Sequence, residues 1–160
     1  MKQQAMTFQA FSILLHRKYL SMLLLLFAGF NINAQEAPLT AIGHPRGAPT
    51  TMKMSDLKSI MKGEKQRWSD GTKVSIVLMK TNTSTGEITC QKIYSMSGDK
   101  VKRFWLGLSF SGKADAPTFC NSIAELETIV AQTPGAIGII DKTSAGSGIR
   151  IIMVDGKNSF

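Results

Sequence analysis

Hydrophobic positions along this chain follow two rhythms. Alternating or unbroken apolar runs at residues 39–43, 73–79, 136–141 and 149–154 predict four strands. Spacings of three and four mark helices between them. Leu57, Ile60 and Met61 form a short stripe, with Ser55 as the expected cap, Asp56 near the positive helix end and Gly63 as the stop. Ile88 and Ile93, joined by Cys90 and Tyr94, predict a helix over about residues 87–96. Val101, Phe104, Trp105 and Leu108 predict the next, over residues 99–108. Ile123, Leu126, Ile129 and Val130 predict the last, opened by a capping box of Ser122 and Glu125.

In the run 73–79, Val74, Ile76 and Leu78 point one way and Val77 and Met79 the other. Apolar residues on both sides predict a central strand covered on both faces. Turn chemistry divides the elements: His44 to Pro49, the Trp68-Ser69-Asp70-Gly71 turn, a polar loop from Thr81 to Gly86, a loop over residues 109–120, and Asp155-Gly156. Thr133-Pro134-Gly135 ends the last helix and runs straight into a strand, where Gly138 permits close backbone approach. Alternating strands and helices predict an α/β layered domain of four strands and three or four helices. The pattern leaves strand order open.

The N-terminal pattern is of another kind. His16, Arg17 and Lys18 precede an apolar run at residues 19–30. That is the size of a signal-peptide core and short of the roughly 20 residues that span a membrane. Ala34 offers a small residue for cleavage, so residues 1–34 are expected to be a signal peptide and the protein periplasmic. An uncleaved anchor is the alternative, and Met6 offers a second start. No Cys follows the run, which argues against a lipoprotein anchor.

Residues 35–160 then form a single domain of ordinary size. Setting aside Lys2, Arg17 and Lys18 leaves sixteen basic against eleven acidic residues, a balance of +5 rather than the whole-chain +8. Such a balance suits anionic partners in general, and an ordinary solvated basic surface is the other reading. The basic residues are dispersed and carry no recognition motif, so no nucleic acid partner is expected.

Cys90 and Cys120 are the two cysteines. An oxidising compartment permits a bridge between them, and buried free thiols are the other reading. Two lone Cys and one His beyond the signal, His44, lack metal-ligand spacing, so no metal and no cofactor are expected. Neither Gly-x-Ser-x-Gly nor His-Glu-x-x-His occurs, and no enzymatic activity is expected.

Four segments in order carry a resemblance. They are Leu57-Lys58-Ser59-Ile60-Met61-Lys62-Gly63, Trp68-Ser69-Asp70-Gly71-Thr72-Lys73-Val74, Thr133-Pro134-Gly135-Ala136-Ile137-Gly138-Ile139-Ile140 and Asp155-Gly156-Lys157. Together they resemble the phosphate-binding proteins of bacterial phosphate ABC transporters, over their second lobe only. The resemblance implies a single lobe of a type II periplasmic-binding-protein fold, a small mixed sheet flanked by helices. It also implies a ligand-binding site for phosphate or another oxyanion, with a membrane transporter or a second copy of the chain as partner.

The family's phosphate loop has the form Arg-x-x-Gly-Ser-Gly-Thr before a helix. Backbone N–H groups, hydroxyls and the Arg fork there hold the anion. The matching stretch here is Lys80-Thr81-Asn82-Thr83-Ser84-Thr85-Gly86. Lys80, Thr81, Ser84, Thr85 and Gly86 are therefore the expected anion-binding residues. Lys80 keeps the charge and loses the bidentate fork. Ser84 is kept, Thr85 stands at a glycine position, Gly86 stands at a threonine position, and Glu87 adds an opposing charge.

These departures point to weak phosphate binding or to a different anion, and an ordinary helix-capping turn is the alternative for this loop. A non-catalytic interaction module that kept the fold and lost the site is the alternative function. Its expected patch is Phe104, Trp105 and Phe110, for which core packing is the competing reading.

Overall fold

The computed structural model describes residues 37–142 and 145–160. The expected export segment lies outside these residues. Glu36–Phe160 forms one compact unit. Its elements run β1 (Thr40–Gly43), β2 (Thr51–Met52), α1 (Met54–Met61), β3 (Ser75–Met79), α2 (Ser84–Thr89), a π-helical turn (Cys90–Tyr94), α3 (Gly98–Phe110), β4 (Thr118–Cys120), α4 (Ile123–Gln132), β5 (Ala136–Ile140) and β6 (Arg150–Val154).

The strands form a single sheet in the order β2-β6-β1-β5-β3-β4. β3 runs parallel to β4 and β5, and β2 parallel to β6. β1 is antiparallel to both of its neighbours, which makes the sheet mixed. The four expected strands are present. β2 and β4 are additional, at two and three residues too short to show a period, and they form the two edges.

The two-sided pattern of β3 is explained by two cores. Leu78 packs on one face with Leu57, Ile60, Met61, Ile93, Val101 and Trp105 from α1, the π turn and α3. Val77 and Met79 pack on the other with Leu126 and Val130 of α4. Gly138 of β5 lies under α4, where an added Cβ would come within 2.8 Å of Leu126. Cys90 belongs to the first core and Cys120 to the second. The sheet separates them, and both thiols are free and buried.

Three local expectations change. Ser55 does not cap α1: Lys53 holds the cap position, and the Asp155 carboxylate accepts the Met54 N–H at 3.2 Å. The second helix begins at Ser84 rather than Glu87, because Thr83 caps it. The loop at residues 109–120 is shorter than expected, with α3 reaching Phe110 and β4 starting at Thr118. The capping box at α4 is present in altered form. Ser122 Oγ accepts the Glu125 N–H at 3.2 Å, and Glu125 reaches back to the N–H of Asn121.

The segments that carry the resemblance meet in space. Gly135 has φ of +80°, and an added Cβ would lie 2.1 Å from the Lys73 carbonyl oxygen. Its carbonyl accepts the Trp68 indole N–H at 2.9 Å, and its N–H reaches Arg46 O at 2.9 Å. Asp155 holds the start of α1. These segments therefore build the frame. The ends of the described unit also meet: Leu39 and Phe160 exchange two backbone hydrogen bonds of 2.9 Å.

Burial leaves a pH signature. Desolvation pushes the Cys90 and Cys120 thiols above their ordinary value of 9.0, helped by Glu87 and Glu125 respectively. Desolvation also raises the Tyr94 phenol well above its ordinary 10.0, against a hydrogen bond from Trp105. Above about pH 9 the unfolded chain releases protons that the folded chain keeps, so stability falls as pH rises. Urea titrations from about pH 8 to about pH 10 are expected to show this decline, with its early part reduced by Cys90→Ala or Cys120→Ala.

Candidate functional site

The chain leaves β3 toward the face covered by α2, and leaves β4 toward the face covered by α4. Loops that part in this way open a crevice at the carboxyl ends of adjacent strands, where α/β sheets commonly bind ligands. A crevice of about 350 Å³ lies beside the carboxyl end of β3, on the face covered by α3. Lys80, Thr81 and Asn82 line it from the loop after β3, Phe119 from β4, and Lys102 from α3. Lys102 lies 3.3 Å from Asp99, an exposed pair that leaves the ammonium in water.

The structure divides the five expected anion-binding residues. Lys80 and Thr81 line the crevice. Ser84 is exposed at the first position of α2. Thr85 is buried, and its hydroxyl donates to Asp141 at 2.5 Å. Gly86 is buried, and its N–H donates to Thr83 Oγ1 at 3.1 Å. Thr83 in turn donates its hydroxyl to Lys80 O at 2.7 Å. Thr83 and Gly86 thus serve as a helix cap, while Ser84, Thr85 and Gly86 belong to the first helical turn rather than to a loop.

Gly86 has a steric reason. An added Cβ would lie 2.0 Å from the Lys80 carbonyl oxygen. Gly98, the first residue of α3, also packs closely on Thr81, with a Cβ–Cβ distance of 2.7 Å if alanine stood there. The loop is thus clamped between the starts of α2 and α3.

Sequence reasoning missed Lys102, Phe119 and Asp141. Lys102 read as one of many dispersed cations, and Phe119 fell in an expected loop. The pairing of β4 with β3 brings Phe119 to residues 80–82, and the packing of α3 brings Lys102. Asp141 follows β5 and occupies the Thr85 hydroxyl, so it withdraws one donor and adds a negative charge beside the helix start. A second, smaller cavity of about 110 Å³ lies at the opposite, amino ends of β3 and β4, beside an ion pair of Lys73 and Asp115. No cluster of three or more potential metal ligands occurs among the described residues.

The expected aromatic patch is mostly core. Trp105 is buried and Phe104 half-buried, whereas Phe110 is 85 % exposed and Leu106 57 % exposed. Gly107 sits between them, with no atom within 4 Å of an added Cβ. Glycine in a helix interior costs about 1 kcal/mol relative to alanine. Gly107→Ala is therefore expected to stabilise the fold by about 0.5–1 kcal/mol, read as a rise in the urea midpoint with an unchanged slope.

No family model matches the chain, and no curated protein matches it. Solved structures do. A protein from Clostridium perfringens, described as a phosphate ABC transporter substrate-binding protein and solved with bound phosphate, aligns at a TM-score of 0.58 and 14 % identity. That alignment covers 75 % of this chain and 46 % of the other. An ABC-type phosphate transport receptor from Vibrio cholerae aligns at 0.55 and 17 % identity, over 77 % and 48 % of the two chains. PstS from Borrelia burgdorferi aligns at 0.55 and 19 % identity, over 75 % and 48 %. This chain spans a little under half the length of each. Its six-stranded mixed sheet and flanking helices thus have the periplasmic-binding-protein fold and align with about half of each of these three proteins.

Proposed function

We propose that this chain is an exported, non-catalytic solute-binding module of the periplasm that takes an oxyanion, phosphate or a relative of it. The observation that carries the reading is the crevice beside the carboxyl end of β3, flanked by Lys80 and Lys102. Lys80, Thr81 and Ser84 supply charge and hydroxyl donors. The buried Thr85 and Gly86 hold the loop in shape. Glu87 and Asp141 oppose a dianion, so binding is weak compared with a site that closes an Arg fork on its ligand. A second wall, from a second copy or from a membrane transporter, completes the enclosure around this open crevice.

The test is thermal unfolding of residues 35–160 in phosphate, sulfate and other oxyanions at fixed ionic strength. A midpoint that rises and saturates is expected, since a ligand bound only by the native state adds about 2.7 kcal/mol at a hundred times its Kd. Lys80→Ala with Ser84→Ala is expected to abolish the rise and leave the ligand-free midpoint in place. An unchanged midpoint across the whole panel would sink the proposal.

A further inference from the structure

Three features of the crevice bear on what kind of anion it takes. Its volume, about 350 Å³, is that of a small organic ligand's pocket. Its exposed lining is mostly apolar, with Phe119 as the aromatic wall and the two lysines as the charges. Phe119 packs against the core on its inner side, so the ring is held in place. Several donors of a bare-anion nest are already committed. The Gly86 N–H is spent on Thr83, the Thr83 hydroxyl on Lys80 O, and the Thr85 hydroxyl on Asp141. What remains is an apolar wall with cations at its rim. An inorganic ion has no apolar surface to set against that wall.

We infer that the crevice binds an organic oxyanion, a phosphate monoester with an apolar or aromatic substituent, with the anionic head between Lys80 and Lys102 and the substituent against Phe119. This rests on the oxyanion reading above and narrows its ligand class. The lysine stems are apolar and the ammonium groups stay in water, so the two side chains can flank the substituent while pairing with the head. Burial of the substituent against the ring adds a term that inorganic phosphate lacks.

Calorimetric titration of the full chain with inorganic phosphate and with phenyl phosphate, under one buffer and ionic strength, tests the inference. Phenyl phosphate is expected to bind about tenfold more tightly or better. Phe119→Leu and Phe119→Ala are expected to remove that advantage and leave the phosphate Kd within about twofold, with melting curves reporting that both variants fold. Equal affinity for the two ligands in the parent chain would overturn this inference and leave the oxyanion reading standing. Binding of neither ligand would overturn both. A phenyl phosphate advantage that survives in a folded Phe119 variant would overturn the placement at this wall.

Discussion

Trp105→Ala is expected to cost about 4 kcal/mol of folding stability, the range for removing a buried Trp from a core that cannot collapse. Trp105 is among the largest fully buried side chains, at 2 % exposure, and lies between α3 and the rest of the first core. Its ring meets Phe104 edge-on at 5.6 Å, and its indole N–H donates to Tyr94 Oη at 3.2 Å. Tyr94 passes a hydrogen bond on to Met61 O at 2.5 Å. One side chain thus ties α3 to the π turn and, through Tyr94, to the end of α1. The added Cβ of Gly63 would also meet the Trp105 ring at 3.1 Å, so the turn after α1 is shaped around it. Domains of this size are stable by about 5–15 kcal/mol, so the loss consumes a large part of the whole. Urea denaturation checks it: the midpoint falls sharply while the slope stays the same. A shift under about 1 kcal/mol would mean that α3 packs more loosely than described.

Gly86→Ala is expected to destabilise by about 3 kcal/mol and to remove the proposed anion binding with it. The new methyl group would lie 2.0 Å from Lys80 O, 2.7 Å from the Lys80 carbonyl carbon and 2.9 Å from Thr83 Oγ1. All three belong to the tight turn that caps α2, and two of them are backbone. Relief requires moving Lys80, the same residue that lines the crevice. The comparison with Gly107→Ala is direct. Both replace a helical glycine with alanine, and both gain the same helix propensity. Gly107 has open space and Gly86 has a carbonyl, so the two changes are expected to move the urea midpoint in opposite directions. Equal shifts would show that propensity, not the clash, decides at Gly86.

Much of the scaffold was legible because long periodic runs report burial directly. β3 read as a two-sided central strand, and it separates two cores. The stripe Ile123, Leu126, Ile129 and Val130 read as a helix face, and Leu126 and Val130 are its fully buried members. β2 and β4 were invisible because two or three residues carry no period, and edge pairing is a property of the partner strand. The start of α2 was misplaced for a different reason. Thr81, Thr83, Ser84 and Thr85 each have the chemistry of a cap, and only the Thr83 bond to Gly86 chooses among them.

The site was legible only in part. The loop after β3 was singled out through a family resemblance, whereas Phe119 and Lys102 lie far along the chain and join it through topology. Residues that carried the resemblance, such as Trp68 and Gly135, bond to each other rather than face the crevice. The residues of the resemblance thus hold the frame together.

The pairing of Leu39 with Phe160 gives the unit a topological property of its own. Two hydrogen bonds of 2.9 Å hold its first and last strand-like residues side by side. A chain that enters the unit at one of them leaves at the other, a few ångströms away. The unit can therefore be set into a host polypeptide at a single point, without pulling the host's two flanking residues apart. Its ends can likewise be sealed by a short linker and a new opening cut in the exposed turn at Asp70 and Gly71, since termini that lie together tolerate both operations.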